Sequence, residues 1–353
     1  MYVLRLKVFA GLHDRREAPC IAFTDLADGG YLLRDEAGFF YPAQAQGGYL
    51  AFVIPYMRAG EARMLELAGE IEDVGMRLVD TGSEVRVLRG QLHVASYRYA
   101  GVRVPHIYPL NAAPGLPVTE ESPSDHPHHA SLWTAHGNVE GADFWAGDGV
   151  IRHVRFRGLS AGPAYAEIVA ENSWEAGGQR MIMEVRRIKF WNIPSGEWLI
   201  DYDVLLSPSD EEVVLGDTKE AGLLAVRVAP SMTVKRGGVL TNSWGGVNEA
   251  EVWGRRACWC DYSGPLGGSV YGIAIFDHPS NPRHPTYWHA RDYGLMAANP
   301  FGLSHFTGGR GDMRITTFIA FKYRVYVHRG WAYQARVADR YVDYINPPRA
   351  ELA

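Results

Sequence analysis

The stretch "WLIDYDVLLS", residues 198–207, sets Trp198, Ile200, Tyr202 and Val204 at every second position with Asp201 and Asp203 between them. A period of two puts the apolar set on one side of an extended chain and the carboxylates on the other, so the stretch reads as a strand packed on one face. The same alternation recurs in "VRFRG" (154–158), "MIMEVRRIKFW" (181–191), "LLAVRVAPSMTV" (223–234), "VYGIAIF" (270–276) and "FIAFKYRVYVHRG" (318–330). Each run is bounded by Gly, Pro, Asn or Ser, and evenly spaced strands with turn punctuation predict a mainly β protein built on a large antiparallel β-sandwich. One C-terminal helix is expected, because Val337, Tyr341, Tyr344 and Ile345 keep helical spacing until "NPP" ends the pattern. "AGEARMLELAGE" (59–70) is a weaker helical pattern and also fits a strand.

At 353 residues the chain exceeds the usual size of one domain. Residues 1–84, with the short runs "CIAF", "YLLRD" and "YLAFVIPYM", read as a small β domain, and residues 85–353 as the large sandwich, the change falling near "VDTGSEVRV" (79–87). A formal charge of -5 leaves no basic footprint, which argues against nucleic acid or an anionic membrane as partner and for a small, weakly charged molecule. Cys20, Cys258 and Cys260 cannot make a disulfide framework, and "CWC" offers two thiols where a closed zinc site needs four ligands, so they are expected reduced and buried. The opening "MYVLRLKVFAGLHDRREAPC" lacks the pattern of a secretory signal, and no apolar run reaches spanning length; the expectation is a soluble cytoplasmic protein.

Three stretches carry possible chemistry. "SDHPHHASLWTAHGNVEGADFW" (124–145) holds His126, His128, His129 and His136, four of the chain's 13 histidines, with Asp125, Asp143, Trp133 and Trp145. Pro127 stiffens the backbone and biases His126 toward an extended conformation, which would project His126 and His128 to one side and His129 to the other. Imidazoles on a rigid segment suit proton transfer or a metal, and equally serve to satisfy buried backbone groups.

"GDTKEAG" (216–222) sets Asp217, Lys219 and Glu220 between two apolar runs. Such a group is often a solvated turn, yet a carboxylate beside a lysine and an apolar wall can also be tuned as a base, and Glu220 is the best carboxylate candidate in the chain. "DHPSNPRHPTYWHARDYGLMAANPFG" (277–302) mixes His284, His289, Tyr287, Arg291 and Asn299 with four prolines, which excludes a long helix and predicts an ordered loop. Aromatic rings beside Arg, Asn and Asp suit a sugar, whose ring offers apolar C–H faces and a rim of hydroxyls. Simple packing of proline on aromatic rings is the plainer use. The "RGD" at 310–312 is given no function.

These three stretches, together with "WGRRACWCDYSGP" (253–265), resemble the bacterial family often catalogued as PmoA-like, over about residue 85 to the end. Ala130 stands where members commonly carry Arg after the histidine pair, and Ser131 where Gly is usual. The oxygenase from which that label is borrowed is an integral membrane assembly, whereas this sequence offers no spanning segment. The resemblance implies a galactose-mutarotase-like supersandwich, and with it a chemical template: a carboxylate base and histidine acids acting on a sugar in an open cleft.

Together these readings predict a carbohydrate-active enzyme working on a sugar or glycoside by His/Glu acid–base chemistry, with hydrolysis, elimination and epimerisation all open. Glu220 is the expected base and His129 or His289 the acid. Asp125, His126, His128, His136, Asp143, Asp217, Lys219, His284, Tyr287, Arg291 and Asn299 are expected to bind substrate, and Trp133 or Trp145 to stack on it. No cofactor is expected. A divalent metal is possible, held by His126, His128 and His136 in a metal-dependent hydrolase or oxygenase. The other alternative is a non-catalytic carbohydrate-binding protein. The oligomeric state is left open.

Overall fold

The computed structural model describes residues 4–72 and 75–353. It is mainly β, with three large antiparallel sheets. The first is built from Arg5–Phe9, Arg15–Phe23, Gly29–Asp35, Phe40–Gln46, Tyr49–Met57 and Ala62–Glu70, and takes the C-terminal strand Arg349–Leu352 against Arg5–Phe9. The end strands of this sheet return to one another around a separate core that includes Leu6, Val8, Leu33, Phe52, Ile54 and Leu65. The ambiguous run at 59–70 is thus a strand from Ala62 onward.

The second sheet runs, edge to edge, through Tyr287–Arg291, Leu295–Asn299, Ala221–Arg227, Leu132–His136, His106–Ala113, Leu92–Arg98, Glu84–Arg89 and Met76–Asp80. The third runs through Val150–Ala161, Tyr165–Ala176, Gln179–Trp191, Trp198–Pro208, Ile319–Arg329, Ser269–Asp277, Trp259–Leu266 and Val239–Asn242. One continuous core, with Leu132, Leu224 and Val226 from one sheet and Ile188, Ile200, Tyr202 and Val325 from the other, joins them face to face. Strand pairing differs from the expected domain division in two places. Met76–Asp80 pairs with Glu84–Arg89 in the second sheet, and the last strand of the chain belongs to the first sheet.

The opening stretch is a strand, Trp198–Pro208, but it is covered on both faces. Ile200, Tyr202 and Val204 enter the core between the sheets, while Leu199 on the other face packs in a cluster with Trp191, Tyr326, Val337 and Tyr341. Asp201 is therefore no solvated carboxylate: it accepts hydrogen bonds from Trp191 Nε1 at 2.8 Å and from Arg324. The predicted helix is Val337–Ile345, and it is what covers that face. Two short helices, Asn248–Val252 and Leu303–Phe306, lie in connections that the sequence pattern did not mark. All three cysteines are free; Cys20 and Cys260 are buried, but Cys258 is only half-buried. No helix among the described residues is long and apolar enough to cross a membrane.

Candidate functional site

Cross-strand register in the second sheet sets His289 beside Ala297, Ala297 beside Ala225 and Ala225 beside Trp133, so these side chains form one row on one face. Thr134, pointing to the other face, reaches the hydroxyl of Tyr202 in the third sheet at 3.1 Å. The row therefore lies on the outer face, and two methyl-sized side chains between two large rings lower the sheet surface there.

The histidine segment that covers this face is a turn, not the extended strand expected. His126 N–H donates to Pro123 O and His129 N–H to His126 O, with Pro127 in the second position of the latter turn, where its fixed φ is favourable. The turn brings together the two rings that an extended chain would have separated: His126 stacks on His129 at 4.7 Å with 10° between planes, and His128 stands edge-on to His129 at 4.7 Å. Tyr293 stacks on His126 at 4.5 Å, while below His129 lie Trp133 at 5.4 Å and then Trp145, 5.1 Å from Trp133. Arg227 ties the stack down. Its guanidinium lies 5.0 Å over Tyr293, Nη1 sits 3.4 Å from His129 Nδ1, and Nη2 donates to both Asp125 oxygens at 2.8 Å. Burial raises the Asp125 pKa, but the bonds from Arg227 and His126 outweigh it and bring it to about 2.

Glu220 ends the turn before strand Ala221–Arg227 and meets the histidine strand across Gly137, whose N–H donates to Glu220 O at 2.8 Å. A Cβ on Gly137 would stand 2.7 Å from that oxygen and 3.5 Å from Asp143 Oδ1, so the glycine is what lets the two acidic residues close up here. Asn299 holds the turn: Nδ2 donates to Thr218 O at 3.1 Å and Lys219 O at 2.9 Å, and Oδ1 accepts from Phe301 N–H and Gly302 N–H. The Glu220 carboxylate, 40% exposed, lies 3.5 Å from Lys219 Nζ. Its charge also acts on His128: burial, His126 and Arg103 lower the His128 pKa, while Glu220 and Asp143 pull it back up.

Burial decides the protonation of the other rings. It lowers His129 to about 2, His289 to about 3 and His136 to about 4, so all three are neutral imidazoles at ordinary pH. His289 Nδ1 accepts a hydrogen bond from Trp253 Nε1 at 3.2 Å. The two histidines expected as acids are thus poor proton sources. His126 and His128, both half-buried, keep contact with solvent, and of the two it is His128 that feels the Glu220 charge.

Several other expected ligand groups have structural work. Trp133 and Trp145 are fully buried and offer no face to a bound ring. His136 lies under Phe301 and its Nε2 bonds Gly216 O at 2.9 Å, which takes it away from His126 and His128; among the described residues no three His, Cys, Asp or Glu side chains are placed to hold a metal ion. Asp217 receives Ser304 N–H and Gly311 N–H, closing the loop that contains "RGD". Asp143 caps its own turn by accepting from Trp145 N–H and Ala146 N–H. His284 is bound to buried Asp277 at 2.7 Å, and Tyr287 packs on Phe306. Arg291 pairs with Glu249 at 2.9 Å and lies 5.6 Å over Tyr293, so it remains at the rim of the ring stack.

A cleft of about 420 Å³ opens beside the stack between His128, His129, Ala130, Arg98, Arg103 and Glu121. The sequence reading passed over Arg227, Arg103 and Glu121. Arg227 did leave a signal, as the lone charge in the otherwise apolar strand "LLAVRVA".

A family model described as "Family of unknown function (DUF6807)" matches residues 84–342. No curated protein matches the chain. Among solved structures, one from Escherichia coli K12 described as "Putative aldose 1-epimerase" matches at 10% identity over 72% of this chain and 99% of that one, with a TM-score of 0.29. A likeness that loose has no bearing on the chemistry of this chain.

Proposed function

The chain belongs to the family of unknown function DUF6807, and from that footing we propose that the outer face of its second sheet binds a small carbohydrate and performs acid–base chemistry on it. The observation that carries this reading is the closure of the Glu220 turn on the histidine strand at Gly137, which leaves a 40% exposed carboxylate and the half-buried His128 on segments that adjoin there. Glu220 takes a proton from a sugar hydroxyl or from a carbon beside the ring oxygen, and His128 exchanges one with the opposite oxygen. Tyr293 and His126, half-buried, edge the site with their rings, and Lys219 and Arg291 reach hydroxyls. His129 and His289 support these groups as neutral rings. Epimerisation, elimination and hydrolysis share this proton transfer, and the PmoA-like resemblance adds no preference among them.

The reading needs no cofactor, and elemental analysis of protein purified without chelator checks the metal-dependent alternative. The deciding experiment is to incubate the protein with a panel of aldoses and glycosides and follow the anomeric protons by NMR. Glu220→Gln is expected to lower turnover by roughly 10²–10⁴-fold with an unchanged melting temperature. Equal turnover by the variant sinks the assignment; binding of a sugar recovered unaltered favours a non-catalytic carbohydrate-binding protein.

A further inference from the structure

On the opposite side of the sandwich, a cleft of about 630 Å³ lies between strands Val239–Asn242 and Trp259–Leu266 and the segment 331–339 that enters the C-terminal helix. Register places Thr241 beside Asp261, Asp261 beside Ala274 and Ala274 beside Tyr326, on the outer face of the third sheet. Trp259, Trp331 and Tyr333 wall the cleft, and Tyr333 is 77% exposed, an aromatic ring that the core does not use. Asp261 and Ser263, both buried, form its floor.

The floor is built to hold one carboxylate still. Asp261 accepts from Ser263 Oγ at 2.5 Å and bonds His328 Nε2 at 2.8 Å. A Cβ on Gly272 would stand 2.3 Å from His328 Cε1 and 2.5 Å from Ser263 Oγ, so glycine there is what lets the imidazole lie across the strand. The carboxylate sits between the hydroxyl and the imidazole. Ser263 is therefore not activated as a nucleophile. Asp261 and His328 have no exposed side-chain surface, so the group shapes the floor and leaves polar contacts to the rim. At the rim of the same cleft Arg336 Nε pairs with Asp339 Oδ2, and both side chains are about half exposed.

We infer that this cleft is a second ligand site, for a neutral polyol of pyranose size. A guanidinium donor and a carboxylate acceptor side by side at the rim match hydroxyls, which both donate and accept, and aromatic walls match the C–H face of a sugar ring. The volume and the mainly apolar wall with few polar groups fit a small-molecule site. The assignment is independent of Glu220.

The test titrates the full chain and its Glu220→Gln variant with methyl glycosides of glucose, galactose, mannose and xylose, read by tryptophan emission and saturation-transfer NMR. Saturable binding is expected in both proteins. It should weaken roughly tenfold in Tyr333→Ala, whose exposed ring the fold does not need, and similarly in Asp339→Asn. Three results overturn the inference: no glycoside binds at millimolar concentration, binding is unchanged in Tyr333→Ala, or tetramethylammonium saturates the site while no glycoside does. Loss of turnover in Glu220→Gln with this binding intact separates the two sites.

Discussion

Arg227 holds Asp125 through one guanidinium nitrogen 2.8 Å from each carboxylate oxygen, and in doing so fastens the histidine turn to the strand Ala221–Arg227. The same guanidinium covers Tyr293, so charge and flat shape are both used. Arg227→Ala is expected to cost roughly 1–3 kcal/mol, below the cost of breaking a fully buried pair, because Asp125 keeps access to water. Arg227→Lys should restore part of the stability but not the near-ultraviolet circular dichroism of the packed rings. Unchanged spectra and melting temperature in Arg227→Ala would show that the turn stands without it.

His128 and His129 are neighbours with opposite expected phenotypes. His128 is half-buried and feels Glu220; His129 is buried between His126 and Trp133. His128→Ala should lower turnover by about 10²-fold or more with little change in stability. His129→Ala opens a hole in the ring stack and should cost roughly 2–3 kcal/mol, its activity falling only as far as the folded fraction does. The pair is separated by measuring kcat and chemical denaturation on the same preparations, and the reverse pattern would return the proton-transfer role to His129.

Acid should unfold this protein early. His129, His136 and His289 are held neutral by burial, their folded pKa values lying below the value near 6.5 of an unfolded histidine. As pH falls below about 6.5, the unfolded chain takes up protons that the folded chain refuses. The stability they contribute is thus present in full above that pH and is lost on the way down toward the folded values, by up to about 1.4 kcal/mol per pH unit for each ring. Urea midpoints should be level from about pH 7.5 to about 6.5 and fall from there toward about pH 5; no fall below about pH 6.5 contradicts neutral burial of these rings.

The period of "WLIDYDVLLS" was enough to identify a strand and the sandwich, because alternation is a local property of the chain. What covers each face is not local: Leu199 and Asp201 look like a solvated face until the helix Val337–Ile345 and the small first sheet are packed against it. Composition singled out the histidine stretch and the Glu220 stretch, and strand pairing is what brings them together at Gly137. The division of labour inside it was not, since whether an imidazole titrates depends on the rings stacked upon it, and those come from residue 293 as well as from 126–145. Pro127 misled for a related reason: the same fixed φ that suits an extended chain suits the second position of a turn, and the choice falls to Arg227, about a hundred residues later.

Asn299 gives the sharpest test of how Glu220 is positioned. It touches no solvent, yet its amide clamps Thr218 O and Lys219 O while its oxygen receives two backbone N–H groups. Asn299→Asp keeps the acceptor and removes the donors, placing a carboxylate against two carbonyl oxygens; Asn299→Ala removes both. Each should cost stability, on the order of 1–3 kcal/mol per abandoned buried group. If the clamp sets the angle at which Glu220 meets the substrate, kcat falls further than the unfolded fraction explains while KM hardly moves, and the pH profile of kcat shifts with it. If Asn299 only stabilises the fold, activity per folded molecule in both variants equals that of the parent, and the turn at 218–220 positions nothing.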